Sequence, residues 1–244
     1  MGRFCCAVAM ACVLCGAGWT QEAENVKTRR AEWFQKARWG VFTHYMADTV
    51  LKDATVESWN AAVDRFNVDA LADTLASVGA GYYVITLGQN SGFYCSPNTT
   101  YDRITGIVPS KCAKRDLIAD LYAALHPKGI RLMVYLPSGA PDRDPEAMKA
   151  LEWKPGKHPR WDTAPVKPGG EDPRLETFQR KWESVIREWS ERWGEKVHGW
   201  WFDGCYYPDA MYRHPDAPNF DSFAAAARAG NPGGIVAFNP GVVN

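Results

Sequence analysis

The stretch His198-Gly199-Trp200-Trp201-Phe202-Asp203-Gly204 ends an apolar, aromatic run on a carboxylate and follows it with a glycine. A buried strand has no packing use for an Asp beside two tryptophans and a phenylalanine. Aromatic rings stack on the apolar face of a pyranose, and a carboxylate at their rim can do the chemistry of glycosidic cleavage. In a (β/α) barrel, catalytic side chains stand at the C-terminal ends of strands. Asp203 has that position if the run is a strand. The competing assignment is an Asp that shapes the next turn, since Asp-Gly is a common turn pair. Cys205 lies two residues further on, and packing is the role expected of it.

The elements that would position Asp203 alternate along the chain. Glu24 to Ala37 reads as a charged helix and Trp39 to Tyr45 as a strand. Val68, Leu71, Leu75 and Val78 recur at helical spacing behind Asn67, a suitable N-cap. Tyr82 to Leu87 is a buried strand. Leu117, Ile118, Leu121 and Leu125 mark a helix, and Ile130 to Leu136 a third strand. Asp172-Pro173 is a cap followed by proline. The stripe from Leu175 through Phe178, Trp182, Val185, Ile186, Trp189 and Trp193 predicts a long amphipathic helix. Val197 to Phe202, a helix over Phe220 to Arg228, and a strand over Ile235 to Phe238 complete the series. Strands alternating with helices imply a parallel sheet, either doubly wound or closed as an eight-stranded barrel. No G-x-G-x-x-G or P-loop follows the first strand, so nucleotide binding loses its usual support. Three long stretches follow strand C-termini: Met46 to Asn67, Gly88 to Lys114, and Pro137 to Asp172, the last holding a Pro-rich insertion from Pro155 to Pro173. That asymmetry predicts an α/β fold of the (β/α)8 TIM-barrel type. Only five strands are visible, so the chain reads as the front of a barrel truncated after about five strands.

The bulk numbers narrow the function class. In 244 residues, Lys+Arg and Asp+Glu both number 28, which argues against a nucleic-acid partner. Hydrophobic residues make up 46% and charged residues 23%, as in a globular protein. Eleven Trp, ten Tyr and ten Phe form a heavy aromatic load, which serves either a large core or a carbohydrate site. Arg3 and the apolar run Phe4 to Leu14, followed by small residues, predict a signal peptide over residues 1–19. The barrel portion is then 20–244, and the protein is expected to be secreted or periplasmic, with no membrane attachment after cleavage. Of seven Cys, four leave with that leader. Cys95 and Cys112 flank one loop, and a disulfide between them would contribute roughly 3 kcal/mol by loop closure. The five His are scattered without zinc spacing, so neither a metal nor another cofactor is expected. Cys95-Ser96-Pro97-Asn98-Thr99 starts like a sulfatase cysteine motif but has Thr where that motif needs Arg. Asn98-Thr99-Thr100 is a glycosylation sequon.

Several segments in order carry a resemblance to a known family. They are Trp33-Phe34-Gln35-Lys36-Ala37-Arg38-Trp39-Gly40-Val41-Phe42-Thr43-His44, Arg65-Phe66-Asn67, Gly79-Ala80-Gly81-Tyr82-Tyr83-Val84, Gly92-Phe93, Arg115-Asp116-Leu117 and Trp201-Phe202-Asp203-Gly204. Together the chain resembles glycoside hydrolase family 29, the retaining α-L-fucosidases, over roughly residues 30 to 240. The resemblance implies a TIM barrel with Asp203 as nucleophile and His44 binding sugar hydroxyls. Tyr45, Trp59, Gln89, Asn90 and Trp201 are expected to line the pocket, and a fucosylated or related glycan to be the substrate. There is one departure. The family usually carries paired His before Gly-Phe, where this chain has Gln89 and Asn90. Carboxamides still offer donors and an acceptor to hydroxyls, or these two simply shape a turn. Retaining hydrolysis also needs a second carboxyl about 5–5.5 Å from the nucleophile. Glu57 is the in-chain candidate, against its reading as a solvated loop residue. The departure keeps two alternatives open: a catalytically weak carbohydrate-binding barrel, and a hydrolase of a non-fucose glycan.

Overall fold

The computed structural model describes residues 29–139, 141–153, 175–205 and 215–239. The expected signal peptide over 1–19, the stretch Pro155 to Pro173 and the Asp172-Pro173 cap lie outside them. The chain divides into two compact units, residues 1–38 and 39–244. The first contains helix α1 (residues 29–37). The second contains the sheet and the other described helices.

Its five strands are β1 (Gly40–Thr43), β2 (Tyr82–Thr86), β3 (Arg131–Pro137), β4 (Gly199–Asp203) and β5 (Ile235–Phe238). All pair in parallel, and the sheet order is β1-β2-β3-β4-β5. A doubly wound sheet reverses its strand order at a switch point. This one never reverses.

Side-chain alternation shows where the helices lie. Tyr83, Ile85, Leu132, Val134, Leu136, Trp200 and Phe202 join the main core. With them pack Leu75 of α4 (Val68–Ser77), Leu117, Ile118 and Leu121 of α6 (Leu117–Leu125), and Phe223 of α9 (Phe220–Ala227). Helix α8 (Glu176–Trp193) buries Phe178, Trp182, Val185, Ile186, Trp189 and Trp193 in the same core, as its sequence stripe predicts. Each such side chain contributes about 1.5–3 kcal/mol by leaving water. The alternate residues Phe42, Val84, Met133, Tyr135 and Trp201 take no part in that core. Helices therefore cover one face, and the other is left to a different purpose.

That second face is concave. In a flat sheet β1 and β4 would lie three strand spacings apart, roughly 14 Å. Yet the Phe42 and Trp201 rings approach to 5.5 Å between centroids. Winding without reversal, helices on one side and strong curvature are barrel properties. The sheet is open, with five parallel strands among the described residues, the number read from the sequence.

The stretches expected to be loops hold helices of their own: α2 (Ala47–Val50), α3 (Val56–Asp64), α5 (Thr99–Thr105) and α7 (Pro145–Leu151). Thr55, Asn98 and Asp144 cap the last three by accepting a backbone N–H at the third helical position. Asn98 does more. It is buried, and its Nδ2 donates to the Val185 carbonyl of α8 at 2.9 Å. In the folded chain the sequon is thus a structural joint, with no free amide for a glycan. The candidate disulfide is corrected as well: Cys95, Cys112 and Cys205 are all free and buried. Among the described residues, no helix is long and apolar enough to cross a membrane.

Candidate active site

Asp203 is the last residue of β4, half-buried at the C-terminal rim of the concave face. Three donors orient its carboxylate. Tyr135 Oη donates to Oδ2 at 2.6 Å. Asn239 Nδ2 and the Gly204 N–H donate to Oδ1 at 2.8 and 2.9 Å. Gly204 turns directly beneath the carboxylate at φ 71°, which glycine adopts without strain. Backbone pairing holds the partners in place. The Ser138 N–H donates to the Asp203 carbonyl at 2.7 Å, and beyond β5 the Asn239 N–H donates to the Phe202 carbonyl at 2.8 Å. No ion pair reaches Asp203 among the described residues, so neutral donors alone meet its charge. A carboxylate held this way suits attack on, or stabilisation of, a developing oxocarbenium-like centre.

Aromatic rings build the wall beside it. Phe42 packs on His44, Tyr135 and Trp201 with centroids 4.5, 5.2 and 5.5 Å apart. His44 meets the Tyr135 ring edge-on at 5.1 Å. His44 itself is exposed, and its Nδ1 bonds Thr86 Oγ1 at 2.7 Å, which leaves Nε2 for a ligand. Gln89 Nε2 donates to Tyr135 Oη at 3.2 Å. Asp203, His44, Trp201 and Gln89, all picked out in the sequence, are thus brought together around Tyr135.

The other four candidates are placed elsewhere. Trp59 is 1% exposed, and its Nε1 donates to the Tyr94 carbonyl at 2.9 Å. A ring committed on both faces to the core cannot stack on a sugar. Tyr45 packs on Trp59 and Phe66, at 5.4 and 4.8 Å, and burial raises its phenol above the ordinary range. Asn90 contributes its backbone carbonyl to the Arg143 N–H, and the Gly92 N–H closes a turn onto Gln89. Asn90 therefore shapes the turn that Gln89 uses. Glu57 is exposed in the first turn of α3, where a negative charge complements the helix N-terminus. No hydrogen bond ties it to Asp203 among the described residues.

Cys205 is buried, and burial pushes its thiol up to about 12, so it packs and does not react. Tyr135, Asn239, Phe42 and Thr86 are site residues that sequence reasoning missed. The strand-end rule that singles out Asp203 applies equally to Asn239, the residue after β5. Tyr135 lies on the strand parity that faces away from the helices. Among the described residues, no three His, Cys, Asp or Glu side chains converge as metal ligands.

Comparison with known proteins bears on the family and the fold. No curated protein matches the chain in sequence. Among solved structures it resembles the endo-fucoidan hydrolase MfFcnA4 from glycoside hydrolase family 107. The TM-score is 0.62 at 16% identity, over 88% of this chain and 34% of that one. A second family 107 endo-fucoidan hydrolase, P5AFcnA, matches with a TM-score of 0.54 at 19% identity, over 82% and 50%. A bacterial fucosidase bound to a monovalent iminocyclitol inhibitor matches with a TM-score of 0.52 at 18% identity, over 85% and 48%. At these identities the likeness is one of fold. The chain spans between about a third and a half of the length of these structures. The family model described as alpha-L-fucosidase matches residues 54–229 of the 244. On that match, which takes in α3 to α9 and the strand that carries Asp203, the chain belongs to the α-L-fucosidase family.

Proposed function

We propose that the protein is a retaining glycoside hydrolase of the α-L-fucosidase type, with Asp203 as the nucleophile that forms a glycosyl-enzyme. The observation that carries this reading is the Asp203 carboxylate, fixed by three neutral donors at the rim of a concave aromatic face. One carboxylate oxygen attacks the anomeric carbon as the glycosidic bond breaks, and the aglycone oxygen takes a proton from a general acid that regains it from the attacking water of the second step. Water then releases the sugar with its configuration retained. Trp201 and Phe42 supply apolar surface for the ring, and His44 Nε2 and Gln89 meet hydroxyls. The unreversed, curved sheet supports placing these five strands as an arc of a (β/α) barrel. The basic and apolar leader supports secretion or passage to the periplasm. A fucosylated or related glycan is the substrate class.

The test uses the full-length protein with aryl α-L-fucosides and related glycosides. A fluorinated fucosyl donor is expected to leave a mass adduct on Asp203. Asp203→Ala is expected to lower turnover by more than about a thousandfold. Full activity in Asp203→Ala would remove the nucleophile assignment. One observation favours a second reading: of the two carboxamides that replace the family's His pair, only Gln89 reaches the site through its side chain. A carbohydrate-binding barrel with weak catalysis would then bind fucosides in calorimetry and leave no adduct. A hydrolase of a non-fucose glycan would form the adduct only with another sugar.

A further inference from the structure

Tyr135 has one hydroxyl proton. The 2.6 Å bond to Asp203 Oδ2 takes it, because an ionised carboxylate only accepts. The 3.2 Å contact between Tyr135 Oη and the Gln89 amide must then run the other way, with Nε2 donating. The network thus sets which way the amide is turned. Gln89 Oε1 is directed away from Tyr135. Among the described residues no donor reaches it, and it is not a sealed polar atom. It is an open acceptor on a side chain that two successive hydrogen bonds join to the nucleophile.

We infer that Gln89 couples recognition of a substrate hydroxyl to the placement of the nucleophile. Oε1 accepts the proton of a sugar hydroxyl, Nε2 donates to Tyr135, and Tyr135 donates to Asp203. Each donation polarises the next, so the bond on the carboxylate tightens when the correct hydroxyl is present. A carboxamide is suited to this because it donates and accepts at once and does not titrate, whereas an imidazole changes charge near neutral pH. Gln89 is in this sense a positioning residue that acts through Tyr135. The inference rests on the glycosidase reading for its ligand, while the two hydrogen bonds that join Gln89, Tyr135 and Asp203 are a property of the fold.

The experiment pairs ligand and side-chain deletions in the full-length protein. Calorimetry compares a fucose-configured iminocyclitol with analogues that each lack one ring hydroxyl. One analogue is expected to bind the wild type roughly 3- to 10-fold more weakly. Gln89→Leu is expected to bind the parent more weakly by a similar factor and to be blind to that deletion. With an aryl α-L-fucoside, Gln89→Leu is expected to lower kcat about tenfold or more while KM moves less. Gln89→Glu is nearly isosteric, so it separates chemistry from misfolding. Once ionised it only accepts, and it draws the Tyr135 proton away from Asp203. Its kcat is therefore expected to fall as pH rises through about 4.3, a limb the wild type lacks. If Gln89→Leu keeps the wild-type discrimination between analogues, or Gln89→Glu keeps the wild-type pH profile, the coupling is overturned. Wild-type protein that takes up none of the probes overturns the functional reading itself, a result that neither variant can mimic.

Discussion

Trp59 shows how a residue can be chemically right for a site and still belong to the core. Its indole N–H satisfies the Tyr94 carbonyl, and its ring lies between Tyr45 and Phe93. Trp59→Phe removes one of two donors to that carbonyl, which keeps the Ala113 N–H at 2.8 Å, and is expected to cost about 0.5–1.5 kcal/mol in urea unfolding, with no change in sugar affinity. The same reasoning separates the thiols from chemistry. Burial raises Cys95, Cys112 and Cys205 above the ordinary thiol range. An aromatic disulfide reagent is expected to label these three only after unfolding, and a reductant to leave the unfolding transition where it is. Labelling in the native state would show that the thiols are open. Asp203 was legible in the sequence because a carboxylate ending an aromatic strand has no packing role. Tyr135 was not, because a tyrosine inside Arg131 to Pro137 looks like any other core residue until the sheet assigns it a face. Which face Trp59 meets depends on how α3 rotates, and local spacing does not set that.

At the scale of elements, Asn98 joins two helices. Its Oδ1 accepts the Tyr101 N–H at the start of α5, and its Nδ2 holds α8. Asn98→Ala removes a cap and a buried tertiary bond, and is expected to cost about 2–3 kcal/mol in urea unfolding. Asn98→Asp keeps the cap but loses the donor and buries a charge, so it is expected to be no better. An unchanged midpoint in both variants would show that the joint carries no stability. All five strands were readable from short apolar runs with glycine punctuation, and β5 matches its expected bounds. Helices α3, α5 and α7 were hidden inside stretches taken as loops. Their caps were in plain view at Thr55, Asn98 and Asp144. The helices are short and carry few apolar repeats, so periodicity gives little signal. Sheet order and the side that the helices cover come from pairing between distant segments, which no local pattern contains.

For the molecule as a whole, acid stability follows from two groups far from Asp203. Burial, aided by the nearby Arg131, holds the His198 imidazole down to about 4 against an ordinary 6.5. Its Nδ1 accepts the Leu132 N–H, a bond that protonation must break. Between pH 6.5 and about 4 the unfolded chain therefore binds a proton that the fold refuses. This stability is full above 6.5 and is lost as pH falls towards 4. Glu188 extends the trend. Burial opposes its charge, but bonds from Thr100, Thr99 and Arg192 outweigh that and bring it to about 2 from an ordinary 4.5. Its contribution is present above 4.5 and is lost as pH falls towards 2. Unfolding midpoints are expected to drop in two successive windows, with His198→Gln flattening the upper and Glu188→Gln the lower. A profile unchanged by either substitution would place the acid sensitivity elsewhere. The unreversed strand order carries a consequence for assembly. Each strand's partner is the one made just before it by the ribosome. Registers such as Gly40 with Tyr82 and Tyr82 with Arg131 let every new strand dock on an edge already in place. Loop closure over such intervals grows costlier only slowly with length. The order of translation is then also the order of construction, and the rim that holds Asp203 takes shape only when the fourth strand arrives and is steadied only by the fifth.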